Sequence, residues 1–484
     1  MTKKYLFGLL VLFILNMALT GCKNLLERLE NQSGYSGPIS ASPVVPGLSA
    51  GDQLGKVVAI SGNHFIAGVP RDGGKGYKAG AVYIFSSVGP NVWDIGAKIV
   101  PPDVEEEDHF GHSVSISGDY AIAGAYLDDD DAINSGAAYI FKKTASGWDS
   151  ITKLKPHNAA INDFFGWAVA ISGDYAIVSA LTDIDTGTSP GSAYIFHRTG
   201  ANSWDEGFEI SAPDGAEFDF FGNAVAISGD YAIVGSFFDD TNGPRSGSAY
   251  IFRRTGENIW DAGTKILAPD GATGDNFGHS VSISGNYAIV GALGYDDGGM
   301  QDSGAAYVFR RTGINTWDGG TKILAPNGAA QDNFGHSVSI FGDYAIVGAN
   351  GHDDFELGVD SGSAYIFVRT DINSWDTSFQ YVQEPGSAGD GFGVGLAMTD
   401  NYAIIGADHA DDSGPDSGSL RILAYEQLGC CDLYRMAYAG QPPFLRDLWR
   451  QSSRILVVEM GESESWQIWN LPRQGVDKVA ERRG

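Results

Sequence analysis

Carboxylates are the side chains with the most capacity for chemistry in this chain. They stand side by side at Asp128-Asp129, Asp239-Asp240, Asp296-Asp297, Asp353-Asp354 and Asp411-Asp412, with Asp183 and Asp185 one residue apart. A second acidic set holds Glu105, Asp108, Asp163, Asp219, Asp275, Asp332 and Asp390. Paired carboxylates can share acid and base roles when their environments split their pKa values. They can also hold calcium, which takes about six to eight oxygens. The second candidate is a set of histidines, His112, His279 and His336, each following a Phe-Gly pair. Three such residues could ligate a metal. They share a strand face with Val114 and Ile116 or their equivalents, so packing is expected of them instead. Lys56, Trp167, Asn223 and Val394 fill the same slot elsewhere.

The carboxylates recur at a fixed interval, and this argues against catalysis. A hydrolytic site needs a few groups in unlike surroundings, not the same pair in almost every unit. No nucleophile elbow, His-Glu-x-x-His or phosphate loop occurs. The interval itself follows from Leu54, Phe110, Phe165, Phe221, Phe277, Phe334 and Phe392, each followed by Gly. Their steps run from 55 to 58 residues. A period of that length means a repeat architecture.

One unit, from Phe277, shows what positions these groups. Two apolar runs, HSVSIS and NYAIVGA, flank a tight Ser-Gly-Asn turn and predict strands A and B of a hairpin. An acidic loop leads to strand C, Ala305 to Phe309, and a turn from Arg310 leads past Trp317-Asp318 to strand D, Thr321 to Pro326. Four strands in each of seven units predict an all-β fold, a seven-bladed β-propeller of four-stranded blades. Its strands are apolar on both faces, as blades stacked between blades require. A helical repeat is excluded, because no apolar period of 3.6 persists. The recurring Trp93, Trp148, Trp204, Trp260, Trp317 and Trp375 are expected to pack between blades.

The last unit lacks strand D. The segment from Pro43 to Gly55 aligns with Ile266 to Gly278, placing Pro46 on Pro269. The N-terminal strand is therefore expected to pair with the last blade and close the ring. Strand order then puts the B–C and D–A loops, with the aspartates, on one face. The cationic ends of strand C (Lys142-Lys143, Arg253-Arg254, Arg310-Arg311) fall on the other.

Phe-Gly, then Gly-Ala, then a Gly-Ser-Ala-Tyr-Ile-Phe strand resembles the FG-GAP repeat. That repeat builds the propeller of integrin α subunits and of many bacterial surface proteins. The middle element stands here as Gly68-Val69, Gly124-Ala125, Gly235-Ser236, Gly291-Ala292, Gly348-Ala349 and Gly406-Ala407, with Ser179-Ala180 in the third unit. The resemblance implies a binding or adhesion role. The Asp-rich calcium loop of integrin-type A–B hairpins does not carry over, because every A–B turn here is short. Gly278-His279 and Trp317-Asp318 are reminiscent of WD40 repeats, but the period is too long for that family.

The N-terminus has Lys3 and Lys4, an apolar run, and then Leu19-Thr20-Gly21-Cys22. This pattern describes a secretory signal, and its ending resembles the lipobox of bacterial lipoproteins. The resemblance implies cleavage before Cys22 and lipidation of that cysteine. Three cysteines give no disulfide framework. A formal charge of −29 excludes a nucleic-acid partner.

The chain is thus divided into a signal and lipobox (1–22), a linker (23–42), the propeller (43–425) and a tail of unassigned structure (426–484). The expected function is a monomeric, lipid-anchored module of the bacterial cell envelope. It would offer its acidic face to an extracellular protein, glycan or cation. Alternatives are a polysaccharide lyase or hydrolase and a structural envelope component. No cofactor is expected, although the B–C aspartate pairs could hold calcium weakly.

Overall fold

The computed structural model describes residues 40–43, 45–89, 91–183, 190–381, 386–424, 454–460 and 466–472. The chain divides into one unit of Gly37–Tyr425 and a second of Met1–Ser36 with Glu426–Gly484. Among the described residues of the second unit, Arg454–Met460 pairs antiparallel with Trp466–Pro472. Cys22 and the linker before residue 40 lie outside the described residues.

The first unit holds seven antiparallel sheets in sequence order. In blade 5, strand A (Phe277–Ser284) pairs with strand B (Tyr287–Ala292), and B pairs with strand C (Ala305–Gly313). Strand D (Thr321–Ile323) covers the outer edge of C. Strand C runs on through Arg310 and Arg311, where the sequence predicted a turn, because Thr316–Trp317 supplies it with a pairing partner. Strands A of the other blades are Val58–Ser61, Val114–Ser117, Phe165–Ser172, Phe221–Ser228, Ser337–Phe341 and Leu396–Met398. Each packs against strand A of the next blade, and that of blade 7 packs against that of blade 1. Strands A therefore ring the axis.

The pattern of strand B explains the stacking. Ala288, Val290 and Ala292 enter the core shared with blade 4, whereas Ile289 enters the core shared with blade 6. Alternate residues serve opposite neighbours, so the strand reads as continuously apolar. Burying each Ile or Val contributes about 1.5–3 kcal/mol. The repeating Phe is fully buried, and in blade 5 its N–H donates to the Ser246 carbonyl of blade 4 at 3.1 Å. The A–B turns of blades 1 to 6 carry Gly at positive φ, 58° at Gly285, in the first turn position, as a two-residue hairpin loop favours.

Blade 7 takes its outer strand from the chain start. Ser40–Ala41 pairs with Ser419–Ala424, with Ala41 opposite Ile422. By the Pro46-to-Pro269 alignment this is the register of Thr264 opposite Ile251 in blade 4. The pairing lies just before Pro43 rather than beginning there, because proline has no N–H to give to the ladder. Leu54 then bridges Gly418 as Phe277 bridges Gly247. Val45, Leu54, Val58 and Phe65 share one core with Ala397, Ile404, Leu420 and Ile422.

Candidate functional site: the loop face and the mouth of the axial channel

The B–C and D–A loops share a face, where they bond to each other. Glu107 N–H donates to Tyr77 O, Asn162 N–H to Ile133 O and Gln331 N–H to Gln301 O, all at 2.8–2.9 Å. Most acids singled out in the sequence prove to be the fasteners of these loops. In the D–A loops, Asp52, Asp108, Asp163, Asp219, Asp275, Asp332 and Asp390 are buried, and each accepts the N–H three residues earlier at 2.6–2.8 Å.

The B–C pairs are not equivalent to one another. Asp128 is buried and accepts from Tyr139 Oη at 3.0 Å and Lys153 Nζ at 2.7 Å. Asp239 does the same with Tyr250, Ser248 and Lys265. Burial pushes the Asp239 carboxyl up, but Lys265 and Thr241 outweigh it and hold the group below its ordinary value. One position on, the Oδ1 atoms of Asp129, Asp240, Asp296, Asp353 and Asp411 accept the N–H of Asn134, Arg245, Asp302, Asp360 and Asp416. Those acceptor-bound residues sit at φ of 52–55°. Asp296 therefore corresponds to Asp129 and not to Asp128, and Tyr295 takes the place of the buried acid. Of the second residues in the later pairs, Asp354 accepts from Glu356 and Leu357, and Asp412 lies 3.9 Å from Arg421. Asp297 donates its N–H to Ser303 Oγ.

Among the described residues, no three His, Cys, Asp or Glu side chains are grouped to hold a metal. Calcium in these loops would have to compete with the N–H and lysine donors that the carboxylates already accept. Millimolar calcium is expected to leave the melting temperature within about 1 °C of that in chelator, a shift worth only a few tenths of a kcal/mol. A rise of several degrees would restore the cation reading.

The opposite face is not the bare basic rim that the sequence suggested. Arg198, Arg254, Arg311 and Arg369 lie over the rings of Tyr120, Tyr175, Tyr231 and Tyr287 of the preceding blade, 4.5–4.9 Å from their centroids. Asp174, Asp230 and Asp343 of the A–B turns pair with three of them, and Asn286 bonds the fourth. The same tyrosines receive Trp204, Trp260, Trp317 and Trp375 edge-on. These cations join blades.

The unlike residues of the repeat meet on the axis. Lys56, His112, Trp167, Asn223, His279, His336 and Val394, one per blade, follow the near-invariant Phe-Gly. Around the axis the rings of His112 and Trp167 meet tilted (4.9 Å between centroids), as do those of His279 and His336 (5.2 Å), and Asn223 Nδ2 donates to the His279 carbonyl at 2.8 Å. A cavity of about 380 Å³ opens among Lys56, Val57, His112, His336, Asn350, Gly391, Val394, Asp408 and His409. Blades 1, 2, 6 and 7 supply these residues.

Burial sets the electrostatics of this mouth. It lowers the Lys56 ammonium, which the Asp408 charge partly restores. It raises Asp408, a group only 5 % exposed. It pushes His112 and His336 down to about 3 and His279 down to about 4, so all three imidazoles are neutral near pH 7. His336 Nδ1 and Asn350 Oδ1 are buried without a hydrogen-bond partner. The sequence reading placed the histidines correctly in packing but missed that they wall a cavity. The signal was available as one column of dissimilar residues beside columns that hardly vary.

A sequence model described as the FG-GAP repeat matches residues 46–85, 93–141, 148–196, 204–252, 260–309, 317–367 and 382–422. No curated protein matches the chain significantly. Among solved structures, the β-propeller domain of the Trilobed protease from Pyrococcus furiosus aligns with a TM-score of 0.42 and 10 % identity. The alignment covers 72 % of this chain and 90 % of that one.

Proposed function

Because the chain belongs to the FG-GAP repeat family, we propose that it is a binding module of the bacterial cell envelope. It is held by lipid on Cys22 and meets an extracellular protein or glycan with its B–C/D–A loop face. The observation that carries this reading is the placement of repeat divergence. Seven blades keep the same frame and vary where the axial channel opens onto that face. Side chains that differ from blade to blade cannot serve the frame, whereas a pocket with a few convergent polar groups is the usual form of a ligand site. The loop carboxylates are occupied in holding the loops, which supports binding over hydrolysis.

The test is binding of the purified full chain to glycan and matrix-protein arrays. Binding to one class is expected, reduced by substitutions at the channel mouth and unaffected by Arg253→Ala on the far face. Absence of binding, or binding lost only through Arg253, would overturn the proposal and favour a structural envelope component. In cells, Cys22→Ser is expected to move the protein from the membrane to the soluble fraction. Retention in the membrane would overturn the lipid tether.

A further inference from the structure

We propose that the cavity at the channel mouth binds a single uncharged sugar ring, with Lys56 and Asp408 contacting its hydroxyl groups. The inference rests on the binding-module reading and specifies its ligand.

Lys56 offers only N–H groups, and ionised Asp408 offers only lone pairs. Both line the cavity, and they are not within ion-pair distance of each other among the contacts of the described residues. The nearest basic nitrogen paired with Asp408 is His409 Nε2, at 3.9 Å, too long for a hydrogen bond. The neutral His336 ring hydrogen-bonds the Val394 backbone and leaves Nδ1 without a partner. Asn350 Oδ1 is in the same condition. Both atoms are closed to solvent, so a ligand hydroxyl satisfies them only where these side chains turn toward the cavity.

A ligand carboxylate would suit Lys56 but would face Asp408 and could donate nothing to the free acceptors. A ligand amine would suit Asp408 but would face Lys56. A hydroxyl donates and accepts at once, and several on one ring can answer Lys56 and Asp408 together. Val57, Val394 and the edge of His112 supply the apolar wall that a sugar's C–H face requires. The volume, about 380 Å³, falls at the small end of the range for ligand pockets, roughly 300–1,000 Å³.

The experiment uses the purified full chain and neutral probes, namely glucose, galactose, mannose, N-acetylglucosamine and their short oligomers. Glucuronate and glucosamine serve as charged counterparts, and binding is read by calorimetry and ligand-observed NMR. One neutral sugar is expected to bind saturably and at least tenfold more tightly than its carboxylated or amino form. Lys56→Met and Asp408→Asn should each weaken it about tenfold or more, the worth of one charged hydrogen bond. Arg253→Ala, on the far face, should leave it unchanged. Val394→Trp fills the cavity with the residue blade 3 already carries at that position, Trp167. It should abolish binding without lowering the melting temperature, which separates occupancy from unfolding. Tighter binding of glucuronate, or binding indifferent to Val394→Trp, would overturn the inference. If no sugar binds while the arrays return a protein ligand sensitive to the loop face, the sugar inference fails and the binding-module reading stands.

Discussion

Acidification from pH 7 to pH 5 is expected to cost the propeller about 4 kcal/mol, a large share of the roughly 5–15 kcal/mol that holds a folded domain. The source is the axial histidines. Burial, followed by Lys56 and neighbouring imidazoles, pushes His112 and His336 down to about 3; burial pushes His279 down to about 4. In the unfolded chain each titrates near its ordinary value of about 6.5. The unfolded state therefore takes up protons first. Stability is intact above that value and falls as pH drops below it, continuing until the folded-state values are reached. At pH 5 each histidine has cost about 2 kcal/mol, an upper figure because water enters from the channel mouth.

Buried aspartates act in the opposite sense, and Asp52, Asp219, Asp390 and Asp408 are among those raised by burial. Burial raises Asp108 and Asp275 to about 6. The folded state binds their protons first as pH falls through that value, which returns about 1 kcal/mol each by pH 5. The histidines are further displaced, and His109, pushed down to about 4 chiefly by burial, adds to them, so they win. Thermal melts between pH 7.5 and 5 should show a steady fall. The double variant His279→Gln with His336→Gln should flatten much of it. A stable or rising profile in the native protein would show that water or a counter-charge reaches these rings.

The frame of the molecule was legible because a repeat states its own register seven times. Phe277, Gly291 and Trp317 recur on schedule, and strand number, blade number and the face of each loop follow from that schedule. The seam contacts were not legible. Trp317 meets Tyr231 of the preceding blade, and Arg311 lies over the same ring; only the folded ring brings such distant positions together. The loop acids misled for a different reason. A run such as Asp239-Asp240 reads as exposed charge, yet one residue is buried against Lys265 and the other holds a backbone N–H. Sequence reports the charge and is silent on its partner. The channel mouth was hidden because Lys56, Asn350, Asp408 and His409 share no motif.

Gly406→Ala is expected to destabilise the domain by about 4 kcal/mol or more and to open the ring at its closing seam. Strand B glycines face the next blade so closely that a Cβ on Gly291 would overlap the Gly335 carbonyl, and one on Gly406 would overlap the Gly55 carbonyl of blade 1. Backbone cannot yield as a flexible side chain can, so the two blades must part along their shared core. Losses of this size come from such overpacking. Blade 3 shows what accommodation requires. It carries Ser179 at this place, whose Oγ bonds Ala168 N–H at 2.9 Å, and the facing Gly222 sits at φ of 100° against 94° at Gly335. At the closing seam no C–D turn joins strand C of blade 7 to its outer strand, which comes from the chain start and leads through the D–A loop of Asp52 into blade 1. The ends are held by Ser40–Ala41, by Gly51 N–H to Pro415 O at 2.8 Å, by the Leu54–Gly418 bridge and by Trp93 set edge-on to Tyr402. Parting there exposes strand edges and apolar faces, so Gly406→Ala should also associate in solution, whereas Gly291→Ala should lose stability while remaining monomeric. Gly62→Ala is the control. Its Cβ would meet nothing within 4 Å, and only its φ of 56° resists the change, at a cost of about 1–2 kcal/mol. Denaturant unfolding and sizing of the three variants give the ranking. A Gly406→Ala protein as stable and as monomeric as Gly62→Ala would mean that blades 7 and 1 do not meet in the closed seam described above.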